Sequence, residues 1–257
     1  MDDFDNGWDA RAELVEDRWV DRTPRRPQVE PRMRREAQLM PWLAPQLPLP
    51  VAVPAIVEES PLRVRHELVA GGPCPGTDPR HGEAVGSFLA ALHGVDTVAA
   101  VALGIPDAEA SYSEAQATRD RCRGEVLPRL PATDHPAATA LLDRMSIRPT
   151  RTCLVHADLG PDHVRVVGGE VTGIIDWMDA HIGDPALDLS WVLHGTSAEF
   201  GAAVATGYRV DEEQTRRALD WHLMGPWHEV VHGVDTGQPH LVDGGMAGVR
   251  DRLTARP

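Results

Sequence analysis

Carboxylates and imidazoles are concentrated in one stretch of the sequence, LVHADLGPDHVRVVGGEVTGIIDWMDAHIGDPALDLSWVL, which covers residues 154–193. Asp158, Asp176 and Asp184 lie there beside apolar segments that have strand character, and His156 and His163 lie between them. Burying an unpaired carboxylate is costly unless a metal ion, a proton or a hydrogen-bond donor compensates for it. The stretch is therefore a candidate site.

The chemistry that fits these residue types is metal-assisted group transfer. His163 begins the first strand of a predicted hairpin and Asp176 ends the second, so the turn at Gly168-Gly169 places the two side by side. An imidazole and a carboxylate are suitable ligands for a divalent cation. Asp158 is predicted to lie in a loop, and a carboxylate there can accept a proton from an attacking hydroxyl. Two metal ligands and a proton-accepting carboxylate are the groups that magnesium-assisted phosphoryl transfer requires.

The elements that must position these residues change character along the chain. Residues 8–23 predict two short strands around a turn at Glu16-Asp17, and Pro31 suits the first turn of a helix that ends before Pro41. Further strands are predicted at 55–58 and 62–69. The turn-rich AGGPCPGTDPRHG then predicts a boundary near Gly71, which divides residues 1–70 from residues 71–257.

The second part is predicted to be mainly helical around the acidic hairpin, which makes the fold class α+β. Apolar spacing predicts its helices in six regions, with further helical pieces reaching residue 253. These regions are 83–95, 113–130, 136–148, 185–193, 197–206 and 212–223.

Composition excludes several classes of function. The net charge is −14, which argues against a nucleic-acid partner because the phosphate backbone demands a basic surface. The charge would attract a cationic small molecule, although a solvated acidic surface explains it equally well. All 25 basic residues are arginine, which excludes a lysine-containing phosphate loop. With three cysteines and no long apolar run, we expect a soluble, cytoplasmic protein without membrane association.

Several segments resemble a known family. VHADLGPDH is similar to the catalytic loop of protein kinases, and GIIDWMDAHIGDPALDL is similar to the aminoglycoside phosphotransferase family. GWDARAELVEDRWVDRTPRRPQVEPRMRRE and PWHEVVHGVDTG resemble the macrolide-phosphotransferase-like branch of that family, so the resemblance covers about the whole chain. It implies a two-lobe, protein-kinase-like fold. Residues 1–70 would be a small, truncated, β-rich nucleotide-binding lobe, and residues 71–257 a larger catalytic and acceptor-binding lobe.

The resemblance also implies roles for the acidic site. Asp158 would be the catalytic base that receives the proton of the acceptor hydroxyl. His163, at a position where most members of the family have asparagine, and Asp176 would be the ligands of Mg²⁺. The phosphoryl donor would be ATP or GTP, and the acceptor an aminoglycoside or macrolide antibiotic, bound by a protein that is expected to be a monomer.

In the N-terminal lobe, the resemblance implies that Arg22 replaces the strand lysine that holds the nucleotide phosphates. Glu36 would be its helix partner, and Leu68 and Val69 would belong to the hinge against the purine ring. Asp21 stands where an apolar strand residue is usual, and a carboxylate beside the phosphate clamp is expected to weaken nucleotide binding. The family also has a strand and a covering loop before the segment that begins at residue 7.

The resemblance assigns bracing roles to further residues, and two other functions stay open. Asp184 and Asp188 would accept hydrogen bonds that brace the catalytic loop, and His156 would pack it. Trp221 and Trp227 would contact either the acceptor or the core. The alternatives to an active kinase are a binding protein that has lost catalysis, suggested by Asp21 and the short first lobe, and a metal-dependent hydrolase that uses other histidines.

Overall fold

A computed structural model describes the protein from residue 8 to residue 254. Its strands are β1 (Ala10–Val15), β2 (Trp19–Pro24), β3 (Ala55–Glu59), β4 (Leu62–Glu67), β5 (Gly72–Pro73), β6 (Cys153–Val155), β7 (Val164–Val167), β8 (Glu170–Ile174) and β9 (His181–Gly183). Its helices are α1 (Glu30–Leu43), α2 (Pro79–Leu92), α3 (Thr97–Ala102), α4 (Ala108–Arg121), α5 (His135–Met145), α6 (Ala186–His194), α7 (Ala198–Tyr208), α8 (Glu212–Thr236) and α9 (Pro239–Thr254). The predicted α+β class is confirmed.

The N-terminal strands form an antiparallel sheet in the order β1-β2-β4-β3. The predicted turn between β1 and β2 is confirmed, since Glu16 and Asp17 both have positive φ angles, as a tight hairpin turn requires. Helix α1 packs its buried Met33 with Leu62 and Val64 of β4 in one apolar cluster. The sheet and this helix form the first lobe.

Helix α1 was predicted to end before Pro41, and that prediction is wrong, because the helix continues to Leu43. Proline lacks the N–H that would donate to the carbonyl of Ala37 and its ring crowds that carbonyl, but so near the end of the helix only the last turn is affected. Met40 and Leu43 are fully buried in the main core, which holds the last turn in place.

The hairpin that carries the site is built as predicted. Strands β7 and β8 are antiparallel and meet at the turn Gly168-Gly169, where both glycines have positive φ angles. Strand β6 pairs with β9, a short strand that the sequence analysis did not predict. The loop before β7 and the loop after β8 therefore leave the sheets at neighbouring positions.

The helical lobe differs from the prediction mainly in α8, which extends to Thr236 instead of ending near residue 223. Pro226 lies inside α8 and has no N–H to donate to the carbonyl of His222. The guanidinium of Arg252 on α9 donates to that carbonyl instead. A donor from another helix thus replaces the missing bond. No helix among residues 8–254 is long and apolar enough to cross a membrane.

Candidate active site

The structure brings Asp158, His163 and Asp176 together. His163 Nδ1 lies 2.6 Å from the backbone oxygen of Asp158, and a carbonyl oxygen can only accept, so Nδ1 carries the proton of the neutral ring. His163 Nε2 lies 3.8 Å from Asp176 Oδ2, which is too long for a hydrogen bond. The neutral ring therefore keeps a free Nε2 lone pair beside a carboxylate oxygen.

This pair fits the requirements of Mg²⁺. An imidazole nitrogen with its other nitrogen fixed by a backbone carbonyl is the usual state of a metal-binding histidine. Within residues 8–254 no group of three or more His, Cys, Asp or Glu side chains could hold a metal ion. Mg²⁺ is commonly bound by one or two protein ligands, with substrate phosphates and water completing its shell. His163 and Asp176 would supply two such protein ligands.

Asp158 is placed to receive a proton. Its side chain is 57% exposed, so its carboxylate is accessible, and its backbone N–H donates to His156 Nδ1 at 3.2 Å. Partial desolvation in the loop raises the pKa of Asp158 to about 6, and His163 opposes that rise. A carboxylate with a raised pKa is a better proton acceptor than an ordinary surface aspartate.

Arg22 joins the two lobes at this site. Its Nη1 donates to both carboxylate oxygens of Glu36, at 2.9 and 3.0 Å, and its Nη2 donates to Asp176 Oδ1 at 3.1 Å. Glu36 also accepts from the backbone N–H of Trp177 at 3.1 Å. Burial by itself raises the pKa of Asp176, but the Arg22 guanidinium together with His163, His156 and Arg32 outweighs it and holds that pKa below its ordinary value. The predicted Arg22–Glu36 pair is present.

Asp21 does not face this site, which corrects the expectation that it disturbs the phosphate clamp. Successive side chains of a strand point to opposite faces, so Asp21 and Arg22 lie on opposite sides of the sheet. Arg65, directly opposite on β4, donates to Asp21 from Nε at 2.5 Å and from Nη2 at 2.8 Å, and Arg63 lies 3.4 Å away. The carboxylate is neutralised on the far face.

The variant Asp21→Asn is therefore expected to leave the nucleotide dissociation constant within about twofold of wild type. Its free energy of unfolding should fall by about 1–2 kcal/mol, because a charge-assisted bond to Arg65 is lost. Calorimetric titration with magnesium nucleotide and urea unfolding measure the two effects. A marked change in affinity would show that Asp21 does act on the nucleotide site.

The loop that carries Asp158 is braced by Asp188, as expected. This fully buried carboxylate accepts from the backbone N–H of His156 and of Ala157, both at 2.8 Å, and lies 3.0 Å from His93 Nε2. Burial by itself raises the pKa of Asp188, yet the bond from His93, together with the nearby His156 ring and the bond from the His156 backbone N–H, outweighs it and lowers that pKa. Ala157 has a φ of 71°, a left-handed conformation that these bonds help to hold.

Asp184 has a different role from the predicted one. Its Oδ2 accepts from Arg217 Nη2 at 2.6 Å and from Trp221 Nε1 at 2.9 Å, so it fixes α8 rather than the catalytic loop. The reason is its position just before α6, where its Oδ1 binds the N–H of Ala186 and Oδ2 turns towards α8. Trp227 is fully buried in the helical core.

His156 packs the loop in its neutral form. The ring lies in T-shaped contact with Trp177, with centroids 4.6 Å apart, and its Nε2 is 3.0 Å from the carbonyl oxygen of Ile175. Desolvation by complete burial lowers the pKa of His156 from an ordinary 6.5 to about 4.

This lowered pKa predicts sensitivity to acid. The unfolded chain binds a proton at His156 near pH 6.5, whereas the folded chain binds it only near pH 4, so stability falls as the pH drops through this window. The full loss is about 3 kcal/mol and is complete below the lower value. Urea unfolding across that range measures it. The variant His156→Asn should show a weaker pH dependence, and an unchanged dependence would contradict the assignment.

The predicted hinge residues lie between the two sheets. The N–H of Leu68 donates to the carbonyl of Arg18 at 2.7 Å, which anchors the end of β4. Val69 touches β8 so closely that a Cβ on Gly173 would lie 2.6 Å from Val69 Cγ1. Thr172 Oγ1 donates to the carbonyl of Ala70 at 2.5 Å. The hairpin that carries the site therefore also fixes the hinge.

A group of charges around Arg32 lies beside the site, and the ion pairs within it were not predicted. Arg32 precedes Glu36 by one helical turn on α1, donates to Asp9 at 2.6 Å, and also donates to Asp179. Asp179 follows Asp176 in the same loop, and desolvation raises its pKa. Arg32 and Glu36 are four residues apart on α1, so the sequence alone could have placed Arg32 on the same helix face as Glu36. The partners were not predictable, because Asp9 lies just before β1 and Asp179 belongs to the second lobe.

Comparison with known proteins decides the family. The profile of the phosphotransferase enzyme family, APH, matches residues 3–222. The chain belongs to this family. The uncharacterized protein YcbJ of Bacillus subtilis (strain 168) is 28% identical to this phosphotransferase over 228 residues, which cover 79% of this chain and 67% of that protein. Homoserine kinase of Chelativorans sp. (strain BNC1) is 35% identical over 104 residues, but these cover 37% of this chain and 32% of that enzyme.

Solved structures share the fold of this phosphotransferase. Macrolide 2′-phosphotransferase MphH from Brachybacterium faecium, an apoenzyme, has a TM-score of 0.77 and 24% identity over 95% of this chain and 90% of its own. The GDP and kanamycin complex of APH(2″)-IIIa has a TM-score of 0.84 and 22% identity over 96% of this chain and 90% of its own. The two-lobe, kinase-like fold is thus confirmed, with a small antiparallel N-terminal lobe and a helical second lobe.

Proposed function

We propose that this phosphotransferase moves the γ-phosphoryl group of ATP or GTP to a hydroxyl of an aminoglycoside or macrolide antibiotic. The observation that carries the proposal is the convergence of Asp158, His163 and Asp176 beneath the Arg22–Glu36 pair. In this proposal residues 1–70 bind the nucleotide, with Leu68 and Val69 against the purine, and residues 71–257 carry catalysis and acceptor binding.

Each residue then has one task. Asp158, whose carboxylate is accessible, accepts the proton of the acceptor hydroxyl as the new bond from that oxygen to the γ-phosphorus forms and the bond to the departing nucleoside diphosphate breaks. His163 and Asp176 would hold Mg²⁺, which when bound neutralises charge on the nucleotide phosphates. Arg22 adds a fixed positive charge on the nucleotide side and keeps Asp176 ionised through their contact. Positioning and charge compensation are the main requirements of phosphoryl transfer, and these residues supply both.

Charge and similarity together support the proposed class of acceptor. The net charge of −14 would attract a cationic acceptor, and both aminoglycosides and aminosugar-bearing macrolides are cationic. Related folds act on both classes, namely MphH on macrolides and APH(2″)-IIIa with bound kanamycin. One argument for the alternative, a binding protein without catalysis, was that Asp21 would weaken nucleotide binding. That argument no longer applies, because Asp21 is paired with Arg65 on the far side of the sheet.

A mass-spectrometric transfer assay tests the proposal. The purified protein is incubated with Mg²⁺, ATP or GTP, and a pool of aminoglycosides and macrolides. A gain of one phosphoryl group by one compound is expected, and it identifies acceptor and donor together. If folded protein modified none of the pool and bound neither nucleotide, the kinase proposal would be wrong. Tightly bound zinc in the purified protein would favour the hydrolase instead.

A further inference from the structure

His66 lies on the same face of the first sheet as Arg22, whose guanidinium contacts Asp176 of the second lobe. It stands directly opposite Val20 in the β2–β4 pairing, and Arg22 is opposite Val64, two residues along. Directly opposite residues share a face, so His66, Val20 and Arg22 point to the same side. His66 is 6% exposed and precedes the hinge residue Leu68 by two positions. It therefore lies between the proposed hinge residue Leu68 and Arg22.

The hydrogen bonding of His66 fixes its tautomer. Its Nδ1 lies 2.8 Å from the carbonyl oxygen of Glu67, which can only accept, so Nδ1 carries a proton. Among the described residues, its Nε2 has no hydrogen-bond partner. Desolvation lowers the pKa of His66, and the Arg22 guanidinium lowers it further, so the ring is neutral near pH 7. The neutral ring then presents Nε2 as an acceptor.

We infer that His66 makes the nucleotide site selective for adenine over guanine. The inference rests on the proposed function, and specifically on a purine bound against Leu68 and Val69. In this inference, the acceptors that the purine would meet are His66 Nε2 and the second lone pair of the Glu67 carbonyl. Adenine presents an amino group at C6, which donates, whereas guanine presents a carbonyl oxygen there, which can only accept.

The mismatch with guanine has a physical cost. A guanine O6 against His66 Nε2 would bring two lone pairs together in a desolvated position and leave both without a donor. His66 cannot easily adapt, because exchanging its tautomer would break the bond from Nδ1 to Glu67. We therefore expect the adenine nucleotide to bind about tenfold to a hundredfold more tightly than the guanine nucleotide.

Direct binding of two nucleotide analogues tests the inference without any acceptor. Wild-type protein is titrated calorimetrically, in the presence of Mg²⁺, with non-hydrolysable analogues of ATP and of GTP. The variant His66→Leu removes the acceptor nitrogen, and His66→Gln supplies an amide N–H that can donate to guanine O6. The matched control is His81→Leu, which removes another buried imidazole, one on α2 whose two nitrogens have no partner among residues 8–254.

The expected result is tighter binding of the adenosine analogue by wild type and by the His81 variant. His66→Leu should lose most of this preference, and His66→Gln should shift it towards the guanosine analogue. Equal or tighter binding of the guanosine analogue by wild type would overturn the inference and leave the proposed function intact. An unchanged preference in both His66 variants would also overturn it. If wild type bound neither analogue, the proposed function and the inference would fall together.

Discussion

Replacing Asp158 with asparagine is expected to lower the rate of phosphoryl transfer by a factor of about 100 to 10,000. Asparagine keeps the size of the side chain but cannot take up the proton that the acceptor hydroxyl releases. The Asp158 side chain is 57% exposed, so the substitution leaves no buried polar group unpaired. The thermal midpoint of unfolding should therefore change little.

A neighbouring aspartate provides the matched control. Asp162 lies in the same loop and is exposed, and within residues 8–254 its side chain makes no hydrogen bond, although its backbone carbonyl accepts one from Arg165. Asp162→Asn removes the same charge from the same loop, so a transfer rate near that of wild type is expected. Initial rates with saturating magnesium nucleotide, together with the nucleotide dissociation constant, separate catalysis from binding. If Asp158→Asn retained most of the rate, Asp158 would not be the base.

The acidic hairpin was predictable because its information is local. Alternating apolar residues, the glycine pair at the turn and the spacing from His163 to Asp176 define two strands and bring their ends together. The same holds for the β1–β2 turn at Glu16 and Asp17, whose positive φ angles suit a tight hairpin. The family resemblance then supplied roles for these residues, and those roles stay predictions.

Features that depend on distant partners were not predictable from one sequence. Asp21 was expected to weaken nucleotide binding, because its partner Arg65 could not be identified from the sequence. Arg65 lies on β4, which pairs with β2 although α1 and β3 separate the two strands in the sequence. Helix α8 continues through Pro226 because Arg252, on another helix, bonds the exposed carbonyl. Asp184 was assigned to the wrong neighbour, since Arg217 and Trp221 are reached only when α8 packs beside it. In each case a tertiary contact outweighs the local signal.

The largest effect on stability is expected from Arg22→Met. The variant leaves Glu36, whose side chain is fully buried, without its counter-charge. Breaking a buried ion pair from one side costs about 3–5 kcal/mol, whereas replacing both partners with apolar side chains is often close to neutral. The double variant Arg22→Met/Glu36→Met is therefore expected to recover most of the lost free energy of unfolding. Urea unfolding of wild type, both single variants and the double variant gives the coupling energy.

Nucleotide binding separates the structural role of Arg22 from its proposed role towards the phosphates. In the double variant the fold is restored but no guanidinium stands at this position, so affinity for the magnesium nucleotide should stay low. Wild-type affinity in that variant would show that Arg22 serves only to compensate Glu36 and Asp176. Arg18→Met is the control, because its ion pair with Glu67 leaves both side chains about two-thirds exposed. An exposed pair of this kind contributes less than about 1 kcal/mol, so neither stability nor nucleotide affinity should change appreciably.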